Sequence, residues 1–175
     1  MYVCTLIFYK TKVYKFILCY NERNYFKPNL KEEIAMIKGF EDAFTDIQAD
    51  YISLCMEYLE IGNIDANVVY VYLYQTEHIQ MFNAFFKVGT AVITAGEVGS
   101  EELTKQFFDV GTEDIERLIE VCNKYEHPCP NELKLIYNVQ TGSFDADYKY
   151  EEYPESGKIT PEEVFLNWIN EAKSN

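Results

Sequence analysis

One apolar stripe, whose members recur at alternating steps of three and four residues, dominates the first third of the chain. Its members are Ile37, Phe40, Phe44, Ile47, Tyr51, Leu54 and Tyr58. Side chains at this spacing lie on one face of an α-helix. The pattern therefore predicts a long amphipathic helix over residues 30–60, which ends near Gly62 and Asn63. The spacing also fits a coiled coil, but the strands that follow need a covering helix, so packing on a sheet is favoured.

Five later segments have the β-branched and aromatic composition of strands. They are residues 68–75, 79–88, 90–95, 133–139 and 143–151. Segment 68–75 is apolar at nearly every position, which predicts a central strand with both faces covered. In segment 143–151 apolar and charged residues alternate, so one face is expected to point at the core and the other at solvent.

Three helical segments complete the pattern. Residues 101–108 predict a short helix, and Thr112 is expected to cap a second helix that ends before Pro128. A last helix is predicted to begin at Thr160 and Pro161. Strands that follow one another without an intervening helix form hairpins. The chain is therefore predicted to have an α+β fold, in which an antiparallel sheet carries a long N-terminal helix and further helices packed on one face.

The first 35 residues differ in charge from the rest of the chain. They carry six basic and three acidic residues, a balance of +3, and because the whole chain carries −14 the remainder carries −17. Residues 2–9 and 13–20 predict two short strands. Met36 lies where the charge changes sign, so residues 1–35 are either an N-terminal strand pair or a misassigned leader extension. Residues 36–175 are predicted to form a single domain.

The acidity of the chain limits the partners that it can bind. A net charge of −14 and an isoelectric point near 4.5 disfavour direct binding to nucleic acids and to anionic membrane surfaces. A basic protein partner fits this charge, although acidity also serves solubility. Lys10, Lys12 and Lys15 interrupt the apolar N-terminal stretch, so neither a secretory signal nor a membrane-spanning helix is expected. The protein is therefore predicted to be cytoplasmic.

No sequence motif predicts catalysis. The chain lacks the nucleophile-elbow, phosphate-loop and dinucleotide-binding patterns, and it has five cysteines without a C-x-x-C pair and only two histidines. Cys122, His127 and Cys129 lie close in sequence, but a fourth zinc ligand is missing. We therefore expect no catalytic residues, no metal site and no cofactor, and we expect reduced, mostly buried thiols. The protein is predicted not to be an enzyme.

Acidic residues are concentrated between residues 145 and 163, where seven carboxylates accompany only two lysines. The simplest interpretation is a solvated outer strand face together with the acidic first turn of a helix. The alternative is a surface that attracts a basic partner, because complementary charge raises the association rate and selects the partner. On the second interpretation the partner-binding residues are Asp145, Asp147, Glu151 and Glu152.

Three blocks of the C-terminal half carry a family resemblance. They are residues 132–137 (ELKLIY), 142–151 (GSFDADYKYE) and 164–168 (VFLNW). Further matching positions lie upstream, and they are Phe40, Glu41, Gln48, Asp50, Tyr51, Ile52, Glu57, Tyr58 and residues 69–72 and 83–86. In this ordered combination the chain over residues 36–172 resembles the YezG-like immunity proteins of bacteria. The resemblance does not include residues 1–35.

The resemblance implies a small antitoxin encoded beside a secreted polymorphic toxin. Such a protein binds the C-terminal toxic domain of its cognate toxin in the producing cell and blocks it before export. A strongly acidic body suits a basic toxin domain, and a nuclease is the favoured class. The resemblance supplies no catalytic motif and no site residues. A non-catalytic adaptor or chaperone for a secreted protein is the alternative function, and an enzyme with an unrecognised site is a third.

Overall fold

The computed structural model describes residues 7–9, 12–14, 30–153 and 159–174. Its first elements are strands β1 (Ile7–Tyr9) and β2 (Lys12–Tyr14) and helix α1 (Leu30–Ile61). Strands β3 (Val68–Gln75), β4 (Gln80–Val88) and β5 (Ala91–Thr94) come next, and a short 3₁₀ turn leads to helix α2 (Glu101–Lys124). The last elements are strands β6 (Glu132–Asn138) and β7 (Phe144–Lys149) and helix α3 (Pro161–Ser174).

Five strands form one antiparallel sheet in the order β5-β4-β3-β6-β7. The central strand β3 pairs along its length with both neighbours, so that Val71 lies opposite Ala84 on β4 and Leu135 on β6. Strands β1 and β2 pair with each other in a separate two-stranded sheet. The predicted α+β class, with an antiparallel sheet and a long N-terminal helix, is confirmed.

The two strands predicted in the first 20 residues are present over β1 and β2. The other residues of the predicted segments 2–9 and 13–20 lie outside the described residues, as does the polar stretch that follows them. Helix α1 begins at Leu30 and continues through Met36 without a break. The two explanations of residues 1–35, a strand pair or a misassigned leader, stay predictions.

Helices α1 and α2 cover one face of the sheet. Five members of the stripe predicted for α1 are buried there, namely Phe40, Phe44, Ile47, Tyr51 and Tyr58, and Leu54 is partly buried. The Tyr51 ring stacks on Phe82 of β4 with 5.7 Å between the ring centroids. The Tyr58 ring stacks on Phe107 of α2 at 4.1 Å. Each such side chain contributes about 2 kcal/mol by leaving water, so the stripe fixes the helix on the sheet.

Helix α3 packs on the opposite face, so the prediction that the further helices share one face is wrong for this helix. Its residues Phe165, Trp168 and Ile169 are buried against Tyr72 of β3 and Phe85 of β4. The physical reason is the composition of β3. Val69 and Val71 face the core under α1 and α2, and the tyrosines that alternate with them face the other side, where Tyr72 and Tyr74 are also buried. A strand that is apolar on both faces requires a layer on each side.

Helix α2 is continuous, so the prediction of two helices with a new start at Thr112 is wrong. Ser100 caps the helix, and its side chain accepts a hydrogen bond from Leu103 N. The helix then passes through Gly111, which is buried against the Phe82 ring, and a Cβ atom at this position would overlap that ring. The close approach of helix and sheet requires a glycine here, and burial of this turn outweighs the local capping preference of Thr112.

Candidate partner-binding site

The candidate site is built on β7, which is an edge strand of the sheet. Its side chains alternate as predicted, so Phe144 is buried in the core while Asp145 and Asp147 are exposed. Tyr148 also points to the core side of β7 and holds the strand against α1, because its hydroxyl donates to Gln48 Oε1 at 2.9 Å. The two aspartates lie on the α3 side of the sheet, about 7 Å apart along the strand.

The other two predicted residues, Glu151 and Glu152, are exposed but lie beyond the end of β7. The strand was predicted to reach residue 151 and ends at Lys149. The chain turns because Tyr153 is held against β3, where its ring stacks on Tyr74 at 5.3 Å and its backbone N–H donates to the Tyr74 hydroxyl at 3.3 Å. The four carboxylates therefore form two adjacent pairs, one on the strand and one on the bend.

Two lysines beside the aspartates on the sheet are held by other groups. Lys149 shares the exposed face of β7, but its Nζ donates to Glu132 Oε1 at 2.7 Å. Lys134 is the cross-strand partner of Asp147, yet its Nζ lies over the Trp168 ring, 5.4 Å from the centroid. In the described ranges no Lys or Arg side chain forms an ion pair with the four predicted carboxylates. By formal charge, the four carboxylates and Glu132 exceed Lys149 and Lys134 by three, so this edge of the sheet keeps an excess of negative charge.

A buried carboxylate, Glu132, holds the end of the site together. Its side chain is 2% exposed, and it accepts hydrogen bonds from the hydroxyls of Tyr72 and Tyr153 as well as from Lys149. Burial raises the pKa of Glu132, but the hydrogen bonds from Lys149, Tyr153 and Tyr72 outweigh it, so the pKa lies below its ordinary value. The network links β3, β6, β7 and the bend that carries Glu151.

Sequence reasoning missed Glu132 as part of the site. The signal that could have found it is the hairpin register, because Glu132 and Lys149 are cross-strand partners. Opposite charges at such positions stabilise an antiparallel pair. Burial raises the pKa of Tyr153 first, and its hydrogen bond to the ionised Glu132 raises it further. The Tyr153 hydroxyl therefore stays protonated and continues to donate to the carboxylate.

A groove of about 680 Å³ lies between α3 and β6, one strand away from Asp147. Lys134 lines it and connects it to Asp147 through the strand register. Its wall includes Leu166 and Ile159, which are 56% and 53% exposed. Large exposed apolar side chains beside charged ones are the composition of protein-binding surfaces, which have an apolar centre and a polar rim.

A second groove of about 650 Å³ lies between the C-terminal half of α1 and the end of β6. Its floor is apolar and its rim is acidic, and its lining includes Met56, Ile64, Tyr137, Glu57 and Asp65. Among the described residues that line it there is no histidine, cysteine or basic side chain. Its titratable side chains are carboxylates and Tyr137.

The residues considered for zinc binding pack against the rest of the protein. The His127 ring stacks on Phe40 with 3.9 Å between centroids. Cys122 is fully buried and Cys129 is partly buried, and both are free thiols. Burial also raises the pKa of the Cys55 thiol, which makes it unreactive. Over the residues that the structure describes, no group of three His, Cys, Asp or Glu side chains could hold a metal ion.

No protein-family model matches the chain, and no curated protein matches it. The similarity to YezG-like immunity proteins accordingly stays a prediction from the residues quoted above. No helix among the described residues is both long enough and apolar enough to cross a membrane.

Proposed function

We propose that this protein is an immunity protein, which binds the toxic domain of a cognate secreted toxin and neutralises it by direct contact through its acidic surface. The observation that carries the proposal is the exposed pair Asp145 and Asp147 on the edge strand, beside Lys149 and Lys134, which are held by other groups. The family resemblance supports the same function. A nuclease is the toxin class that we favour.

The physical basis is charge complementarity. A domain that binds nucleic acid carries a basic surface, because it has to neutralise phosphates. An acidic surface attracts such a domain over several ångströms and speeds its association. An inhibitor that covers the basic surface also displaces the nucleic acid, so one contact gives both recognition and inhibition.

The scaffold supports such a contact because it holds the carboxylates before the partner arrives. Glu132 fixes the bend that carries Glu151 through Tyr153, and Tyr148 fixes β7 on α1. A preorganised surface loses less conformational entropy on binding, which leaves more of the interaction energy for affinity. The groove beside Leu166 supplies apolar area next to the charges.

The proposal is tested by co-expression with the C-terminal domain of the large secreted protein encoded beside this chain. We expect a complex in a pull-down and restored growth of cells that produce the toxic domain. Reversing the charge of four acids is expected to weaken both, with the substitutions Asp145→Lys, Asp147→Lys, Glu151→Lys and Glu152→Lys. The matched control has the same change of net charge on helices α1 and α2, with the substitutions Glu57→Lys, Glu60→Lys, Glu113→Lys and Glu120→Lys.

Each outcome has a distinct meaning. Full protection by the first variant would show that the four carboxylates are not the contact, even if the protein is an immunity protein. Failure of the unchanged protein to bind or protect against any neighbouring toxic domain would contradict the function itself. A complex with a secreted protein that is not toxic would favour the adaptor function.

A further inference from the structure

We propose that the partner binds by adding an extended basic segment as a new strand along the outer edge of β7. The identity of the partner as a toxin domain rests on the proposed function, whereas the mode of binding rests on the geometry of the sheet. Adding a strand to an exposed edge is an established way to bind an extended segment, since main-chain hydrogen bonds supply affinity and alternate side chains supply specificity.

The backbone of β7 has hydrogen-bonding groups that point away from the sheet. Asn138 N donates to Ser143 O at 2.9 Å, which makes these two residues a hydrogen-bonded pair. In an antiparallel ladder such pairs recur at every second residue, so Asp145 and Asp147 direct their backbone groups toward β6. Ala146, between them, directs its N–H and C=O outward. Among the described strands, none pairs with this edge.

The other edge of the sheet is less open. Strand β5 has only four residues and passes directly into the 3₁₀ turn Ala95–Glu97. Its residue Val92 packs in the cluster under α3, and α3 lies against the strand. Short, covered edges do not accept another strand. The six residues of β7 therefore form the edge that is long enough and open enough.

The charges of β7 select what can pair with it. Two copies of this edge would place like charges beside each other, which protects the protein against pairing with itself. A basic strand would instead meet Asp145 and Asp147 at the non-hydrogen-bonded positions of the new ladder, where cross-strand side chains approach most closely. The residue between these two basic side chains would lie next to Ala146, on the core side of the sheet. The geometry thus fits a basic–apolar–basic segment.

The test uses the full chain and the synthetic peptide Thr-Lys-Val-Lys-Val-Lys-Thr, with Thr-Glu-Val-Glu-Val-Glu-Thr as its control. Nuclear magnetic resonance follows the exchange of each backbone amide during the titration. We expect the basic peptide to slow exchange of the Ala146 amide by at least about tenfold, and the acidic peptide to leave it unchanged. Asp145→Asn and Asp147→Asn are each expected to weaken peptide binding roughly two- to fivefold.

A backbone variant separates strand addition from simple charge attraction. Ala146→Pro removes the outward N–H, and proline is tolerated on the open side of an edge strand. Peptide binding is expected to be lost in this variant but retained in Ala146→Val, which keeps the N–H. The fluorescence of Trp168, the only tryptophan of the chain, reports whether each variant is folded. If Ala146→Pro does not fold, amide exchange in the unchanged protein still decides the question.

Three results would overturn the inference. The first is the absence of binding at millimolar concentrations of the basic peptide, and the second is binding that leaves the Ala146 amide unprotected. The third is protection of this amide that grows with protein concentration alone, which would identify a second copy of the chain as the occupant of the edge. None of them would affect the growth-rescue experiment. Failure of rescue with protection by the basic peptide would refute the proposed function and keep the edge-binding mode.

Discussion

Replacing Lys149 with glutamine is expected to destabilise the fold more than replacing Glu132 with glutamine. The two side chains form one ion pair, but they differ in burial. Glu132 is 2% exposed, whereas the Lys149 side chain is 48% exposed. Lys149→Gln therefore leaves the Glu132 carboxylate, a charge that cannot reach water. Glu132→Gln leaves the Lys149 ammonium group, a charge that can reach water.

The magnitudes follow from this difference. Lys149→Gln leaves the buried Glu132 carboxylate without a compensating cation and costs about 2 kcal/mol. This is below the usual cost for a fully buried pair because Lys149 is itself half-exposed and two tyrosine hydroxyls still donate to Glu132. In Glu132→Gln the amide oxygen still accepts from Tyr72, and Lys149 turns to solvent. The expected cost is about 1 kcal/mol, the difference between charged and neutral hydrogen bonds.

The pH dependence of the stability of Lys149→Gln provides an independent test. In the unchanged protein the pKa of Glu132 is lowered, so its stabilising contribution is present above its ordinary pKa of 4.5 and is lost as the pH falls through the folded value. In Lys149→Gln fewer hydrogen bonds oppose the effect of burial on the pKa of Glu132. This pKa therefore rises, and the carboxylate is protonated at a higher pH. The stability difference between this variant and the unchanged protein is therefore expected to shrink from neutral toward acidic pH.

Urea unfolding followed by Trp168 fluorescence measures these free energies, because this tryptophan packs against Phe85 at 5.1 Å and becomes solvated on unfolding. The double variant with both glutamines is expected to be closer to Glu132→Gln than to Lys149→Gln. Equal destabilisation by the two single variants, or a Lys149→Gln penalty that grows at acidic pH, would refute the account of Glu132 as a buried charge held by its partners.

Three further substitutions test the packing that positions the site. Gly111→Ala is expected to lower the free energy of unfolding in urea by about 1–2 kcal/mol, because overlap with the Phe82 ring outweighs the helix propensity of alanine. Adding Phe82→Leu to this variant should relieve the overlap. A Gly111→Ala variant that is more stable than the unchanged protein would contradict the close approach. Tyr58→Phe is expected to lose about 1 kcal/mol, because the hydroxyl donates to Ala95 O at 2.7 Å in the core; an unchanged urea midpoint would contradict this. Ser100→Ala is expected to lose about 1 kcal/mol with the cap of α2, whereas Ser100→Asp should be nearly neutral.

The elements were predictable where one local pattern decided them. The apolar stripe predicted α1 to within a residue at its C-terminal end, and the strict alternation around Asp145 predicted which side of β7 is exposed. The placement of α3 was predictable in principle, because a strand that is apolar on both faces needs two layers. The continuity of α2 was not, because the contact of Gly111 with Phe82 joins residues far apart in sequence.

The candidate site was predictable only in part. The sequence identified the carboxylates, because their number and alternation are local. It could not show that Lys149 is held by Glu132 or that Lys134 is held by Trp168, since both pairings depend on strand register and on the position of α3. These contacts decide whether the two lysines pair with the exposed aspartates, and they come from tertiary structure.

Growth rescue during co-expression with the neighbouring toxic domain tests directly whether this protein is an immunity protein. We expect the unchanged chain to restore growth and to form a complex that weakens as salt rises from about 50 mM to about 300 mM. We also expect the charge reversal at Asp145, Asp147, Glu151 and Glu152 to weaken rescue, and the matched reversal on α1 and α2 to leave it unchanged. Unchanged toxicity in the presence of the intact, folded protein would contradict the proposed immunity function.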